Sequence, residues 1–261
     1  HPFWQAEEQP LPALAEKRVI PHAQQILMHA GQSQHVTLLT AGQLELNNYV
    51  NTEAKYTKFA YSSRFGYTIE RGRFGLKHAA CDSMLLLADG DNYFRGRREC
   101  EAVRVTEDYL YSRWSPWHDV HIESWQVPFG EWHLRLRRIN SARRLNTAEG
   151  GFAVMNTEPQ IRENGCWLVA GNGTSVLVDL SPVVSREPDS IVTPPNSSIM
   201  FPECAAIPLL KTTLAQGESW LCCAAVAGES QPVMAVPQLN ISENRVVIRE
   251  PGGERQLSFS L

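Results

Sequence analysis

The run DVHIESWQVPFGEWHLRLRRI, residues 119–139, carries reactive side chains at every second position: Asp119, His121 and Glu123 in its first half, Arg135 and Arg137 in its second. An acid, a proton carrier and cations on one surface are the components of general acid–base chemistry. Glycoside hydrolysis needs two carboxylates at a defined separation, and Asp119 and Glu123 stand about 13 Å apart by strand rise, too far to serve as that pair. His121 with Glu123 is the pair that suits proton transfer at a sugar. The same residues equally describe a solvated or domain-contacting sheet face.

Other chemistries find less support. His118, His121 and His133 raise the question of zinc, but a regular strand turns His118 away from His121, and neither H-x-H nor HExxH spacing occurs, so no metal is expected. A G-x-S-x-G nucleophile elbow is absent. Cys222 and Cys223 lie in the apolar run LCCAAVA, which reads as core, and the GNG at 171–173 has no Lys-Ser/Thr after it to make a phosphate loop. No cofactor is expected.

Two aromatic stretches are candidates for ligand contact. KYTKFAYSSRFGY, residues 55–67, separates as an extended strand into Phe59, Tyr61 and Phe65 on one side and Tyr56, Lys58, Ser62 and Arg64 on the other. One side packs, and the other suits an anionic or hydroxylated ligand. In SRWSPWHDV, Trp114 and Trp117 flank a Ser-Pro turn; flat rings of this kind serve as platforms for sugars or as large core residues.

The elements that must position these groups are short apolar-alternating runs divided by turn residues, a pattern of antiparallel strands. The reading is all-β: a large antiparallel β-sandwich, supersandwich-like, with at most short helices, one of them within 41–55. Asn172-Gly173 between CWLVA and TSVLVDL predicts a hairpin. A three-residue loop at Pro128-Phe129-Gly130 would pair Val127 with Glu131. It sets Trp125 opposite His133, Glu123 opposite Arg135 and His121 opposite Arg137, with Ile122/Leu136 and Ser124/Leu134 on the other face. Residues 1–16 hold three prolines and read as a lead-in. Residues 17–261 read as one sandwich, with 181–198 a long surface excursion.

Composition bounds the rest. Charged residues make up 20% of 261 and apolar ones 43%, so the chain has the material for a sizeable core. A net charge of −4 gives no general attraction to nucleic acid or an anionic membrane, and no run of about 20 apolar residues is present to span a bilayer. Six cysteines without C-x-x-C spacing read as reduced, buried thiols, which favours a cytoplasmic setting. Sequons at Asn172, Asn196 and Asn240 would count only after secretion. The chain starts at His1 rather than Met, as a fragment or processed product would.

The runs KYTKFAYSSRFGYTI, AACDSMLLLADG, RRE, SRWSPWHDV and LNTAEGGFAV, with HPFW near the junction, resemble the carboxyl-terminal region of the family catalogued as domain of unknown function 2264, over most of residues 1 to 261. That resemblance implies a β-sandwich preceded by an amino-terminal (α/α) toroid, the arrangement of polysaccharide lyases and unsaturated-glucuronyl hydrolases, in a family similar to a glycoside hydrolase group that includes β-glucuronidases. It implies that the principal acid and base belong to the toroid, so this chain is catalytically silent alone. Its partners are then that toroid and an oligosaccharide. No catalytic residue carries over. Tyr56, Lys58, Tyr61 and Arg64 become candidates for the toroid junction, where a cation meets a substrate carboxylate. A non-enzymatic sugar-binding or assembly module, and a free-standing mutarotase-like epimerase using His121 and Glu123, are the alternatives.

Overall fold

The computed structural model describes residues 17–20, 25–29, 36–40, 52–54, 57–58, 61–62, 85–89, 92–93, 101–130, 132–151, 154–155, 159–170, 173–193, 205–228, 235–253 and 255–261. Six short or medium strands come first: β1 (Lys17–Ile20), β2 (Gln25–His29), β3 (Val36–Thr40), β4 (Thr52–Ala54), β5 (Thr57–Lys58) and β6 (Tyr61–Ser62). The central part of the chain forms β7 (Leu85–Asp89), β8 (Asn92–Tyr93), β9 (Ala102–Val105), β10 (Leu110–Trp117), β11 (Val120–Phe129), β12 (Trp132–Ser141), β13 (Leu145–Gly150) and β14 (Val154–Met155). After these come β15 (Pro159–Arg162), β16 (Gly165–Ala170), β17 (Gly173–Asp179), β18 (Glu187–Thr193), β19 (Ala205–Leu214) and β20 (Gly217–Gly228). The last three are β21 (Gln238–Ser242), β22 (Arg245–Arg249) and β23 (Gln256–Ser260). No helix occurs among the described residues, and the fold is all-β, as the alternating pattern predicts.

An eight-stranded antiparallel sheet, in the order β15-β16-β17-β20-β12-β11-β10-β9, organises the molecule. One face, called inner here, packs on a sheet ordered β14-β19-β13-β7-β8 with β18 beside β19. Trp114, Val120, Ile122, Ile139 and Leu221 from the large sheet meet Leu85, Leu87, Leu145 and Leu214 from the second. The other, outer face is covered over part of its length by β21-β22-β23. There Tyr109, Val127, Phe129, Trp132 and Leu134 pack with Val246, Ile248 and Phe259. Neighbouring residues of a strand point to opposite faces, so a strand apolar on both faces lies between two layers. The pattern BeBiBBBBBB of β11 shows the change: alternation at its start, continuous burial where the third layer arrives.

The β11–β12 hairpin departs from its predicted register. Phe129 pairs with Trp132, a tighter connection than the predicted three-residue loop, with Gly130 in the left-handed region at φ 61°. Trp125 therefore faces Leu136 rather than His133, Glu123 faces Arg138 rather than Arg135, and His121 faces Asn140 rather than Arg137. Ile122 pairs with Ile139 and Ser124 with Arg137, replacing the expected Leu136 and Leu134. The slip is three positions, an odd number, and so exchanges the faces of β12. Arg135 and Arg137 consequently enter the interior. The observed register buries both Phe129 and Trp132 at 4% exposure, a larger gain than cross-strand charge pairing provides.

Other predictions fare variously. The β16–β17 hairpin is present, and Ala170 pairs with Gly173, which places Gly173 in β17 rather than in the turn; Asn172 lies outside the described residues. Within 181–198, residues 187–193 form β18 and pair along β19 instead of making a surface excursion. Of the suggested helix at 41–55, residues 52–54 are strand β4, and 41–51 lie outside the described residues, as does the lead-in 1–16.

Candidate functional site

Toward the β10–β11 turn, the outer face of the large sheet carries a cross-strand row of exposed or half-buried residues, beside a row whose rings, Tyr111 and Trp125, are buried. Arg113 stands opposite Glu123, Glu123 opposite Arg138, and Arg138 opposite Trp220. In the next row Arg104, Tyr111 and Trp125 follow one another across β9, β10 and β11. Trp125 and Trp220 stack with centroids 5.6 Å apart and planes 26° from parallel, and Tyr111 leans on Trp125 at 5.2 Å. Arg138 lies 5.9 Å from the Trp220 ring and Arg104 lies 5.5 Å from that of Tyr111. The result is one half-buried ring, Trp220, backed by the buried rings of Trp125 and Tyr111, with guanidiniums beside them.

Glu123 is the acid of this patch, and both its oxygens are engaged. Arg138 donates to Oε2 from Nε at 2.7 Å and again from Nη2, while the Tyr111 hydroxyl donates to Oε1 at 2.8 Å. Burial together with the Glu123 carboxylate pushes the Tyr111 phenol up to about 12. A phenol held neutral and a carboxylate clamped by a guanidinium form a rigid recognition surface. His121 is exposed on the same face, with Nδ1 2.9 Å from the Ser115 hydroxyl, which also donates to Glu101. The epimerase pairing of His121 with Glu123 thus meets a glutamate already fully occupied.

The other candidates separate. Trp114 is fully buried in the inner apolar cluster, and so is a core residue rather than a platform. Trp117, beyond a register shift between 114 and 117, is half-buried with Arg143 5.5 Å from its ring. Asp119 leaves the expected His121/Glu123 face to meet Arg143, whose Nε and Nη2 donate to it at 2.8 and 2.7 Å; Arg143 also reaches Asp89 at 2.8 Å. Those hydrogen bonds from Arg143 hold the Asp119 carboxyl below its usual range. Tyr56 and Arg64 lie outside the described residues; Lys58 and Tyr61 fall in β5 and β6, their side chains likewise outside.

A second polar group lies inside. Glu149 of β13, fully buried, accepts from Arg137 at Oε1 and from Arg186 at Oε2, and Arg135 forms an ion pair with its Oε1 at 3.1 Å while donating to the Gly150 carbonyl. Burial alone would raise its pKa; the three guanidiniums outweigh this and hold the carboxyl far below the ordinary range. His133, on the same face, is kept neutral by burial and by Arg135 and Arg137. Cys222 and Cys223 are free and buried; burial pushes both thiols up, Cys223 to about 12, which makes them poor nucleophiles. No group of three or more His, Cys, Asp or Glu suited to a metal occurs among the described residues.

Sequence reasoning passed over Tyr111, Arg138, Trp220, Glu149 and Arg186. For Arg138 a signal existed: in RLRR three arginines compete for Glu123, and only the loop length selects among them. Glu149 and Arg186 are joined by tertiary packing, 37 residues apart.

No curated protein matches the chain. Among solved structures, heparan sulfate lyase HepC from Pedobacter heparinus superimposes with a TM-score of 0.60 at 11% identity, covering 96% of this chain and 43% of that one. A heparinase III gene product gives 0.62 at 9% identity, covering 98% of this chain and 44% of that one. The chain thus spans under half the length of these proteins, and at such identities the likeness is one of fold. Residues 15–240 match the family model described as the DUF2264 C-terminal domain, and the chain belongs to that family.

Proposed function

We propose that this chain is the accessory β-sandwich of a carbohydrate-active, uronate-directed glycoside hydrolase, and that its partner is an amino-terminal helical toroid of the same protein holding the acid and base. The observation that carries this reading is the pairing of the half-buried Trp220 with Arg138 on the outer face. The ring offers an apolar platform for a pyranose, and the exposed guanidinium of Arg104 suits a uronate carboxylate, with Arg138 already held by Glu123 and Arg113 by Glu101. Supporting it are the family and the names of the structural neighbours, a heparan sulfate lyase and a heparinase III. With Glu123 clamped and the thiols neutral, the described residues offer recognition rather than bond cleavage.

Titration of the chain with uronate-containing and neutral oligosaccharides by calorimetry tests the reading. Binding of the acidic set, lost in Trp220→Ala and weakened in Arg138→Gln, is the expected result; equal indifference to both sets removes it. In the full-length protein, a product carrying an unsaturated uronate would replace hydrolysis with elimination.

A further inference from the structure

The small sheet β21-β22-β23 turns one side toward the large sheet and the other to solvent. Ile248 pairs with Leu239 and Leu257, and all three pack inward with Val246 and Phe259. Alternation along the strand therefore points Arg245 and Arg249 outward, and both are exposed. Arg249 stands between Gln238 and Gln256 and donates from Nε to Oε1 of Gln256 at 3.0 Å; Arg245 stands between Ser242 and Ser260 and donates from Nη2 to the Ser258 hydroxyl at 2.9 Å. Each guanidinium is steadied by a neighbouring strand, with its other N–H groups uncommitted.

No acid answers either charge. Among the described residues Arg113, Arg138, Arg143 and Lys211 each meet a carboxylate, whereas Arg245 and Arg249 form no ion pair. The acids nearest in sequence, Glu243 and Glu250, flank β22 and pair with neither. The outward positions of the three strands hold Gln, Asn, Ser, Val and Arg without a carboxylate. In a chain of net charge −4, this face is positive alone.

We propose that the outward face of β21-β22-β23 binds an acidic polysaccharide, Arg245 and Arg249 meeting its carboxylates and the Gln and Asn amides its hydroxyls. Four positions along one strand separate the two arginines by about 13 Å, too far for one carboxylate or phosphate to touch both, so the anion is an extended chain. The face has no aromatic ring on which a nucleobase would stack and no large exposed apolar side chain to enter a membrane. The choice of a sugar polymer rests on the functional reading above. The surface itself is separate from Trp220 and Arg138, which belong to the large sheet.

Polygalacturonate, a polymer of uronate alone, and neutral dextran serve as probes in affinity electrophoresis of the native chain. The first should retard it and the second should not. Arg245→Gln combined with Arg249→Gln should raise the dissociation constant about tenfold, with the urea midpoint of these exposed substitutions unchanged. In a Trp220→Ala background the double substitution should have the same effect, which separates this surface from the outer-face patch. No retardation of the parent chain, equal retardation of the double variant, or tighter binding of single-stranded DNA or phosphatidylserine vesicles than of polygalacturonate would each overturn the proposal. Retardation abolished by Trp220→Ala alone would also overturn it, while leaving the earlier reading in place.

Discussion

Arg138 stands directly across the β11–β12 ladder from Glu123 and donates to its Oε2 from two nitrogens, while Tyr111 takes the other oxygen. Glu123→Gln removes the charge that favours the protonated phenol. The Tyr111 pKa should therefore fall from about 12 toward the ordinary 10. Spectrophotometric titration, with Tyr111→Phe subtracted to isolate one ring among seven, reads the change. The sign for stability follows: a raised pKa favours the fold below pH 10, and that contribution is lost as pH rises from 10 to about 12.

Glu149 governs acid stability. Its carboxyl is ordinary in the unfolded chain, near 4.5, and far lower in the fold. Its contribution is complete above pH 4.5 and declines as pH falls below that value. Urea unfolding between pH 7 and pH 3 should show the decline, and Glu149→Gln should flatten it. At pH 7 the same substitution leaves buried guanidiniums without their anion and should cost about 3–5 kcal/mol.

The two tryptophans of SRWSPWHDV should behave unequally. Trp114→Ala opens the inner cluster and should cost about 3–5 kcal/mol. Trp117→Ala removes a half-buried ring beside Arg143 and should cost about 1 kcal/mol. Chemical-denaturation midpoints distinguish the two, and equal losses would contradict the burial assigned here.

Cys166, Cys222 and Cys223 are buried with raised pKa values. Brief iodoacetamide treatment of the native chain followed by peptide mass mapping should find all three unlabelled, and urea should expose them together. Labelling of Cys222 or Cys223 in the native state would reopen nucleophilic chemistry.

Strand identity and the all-β class were legible because alternating apolar residues have one simple structural solution. The β11–β12 register was not. Glu123 has Arg135, Arg137 and Arg138 within reach of different registers, each pairing worth only about 0.2–1 kcal/mol, so charge matching could not choose. Alternation, the usual arbiter, failed for a related reason: Trp125, Val127 and Phe129 meet one layer while Ile122, Ser124 and Gln126 face another, so both faces are buried. His121 and Glu123 share one face because a single strand fixes that locally. Their neighbours Arg138 and Trp220 come from other strands, and no local pattern announces them.

The three carboxyl-terminal strands bear on how the protein should be cut for expression. The family match ends at residue 240, inside β21. A clone trimmed there would lose Val246, Ile248 and Phe259, stripping the cover from Tyr109, Val127, Phe129 and Trp132. The exposed strip would invite self-association, and the insoluble product would reflect a misplaced stop codon rather than an intrinsically unstable domain.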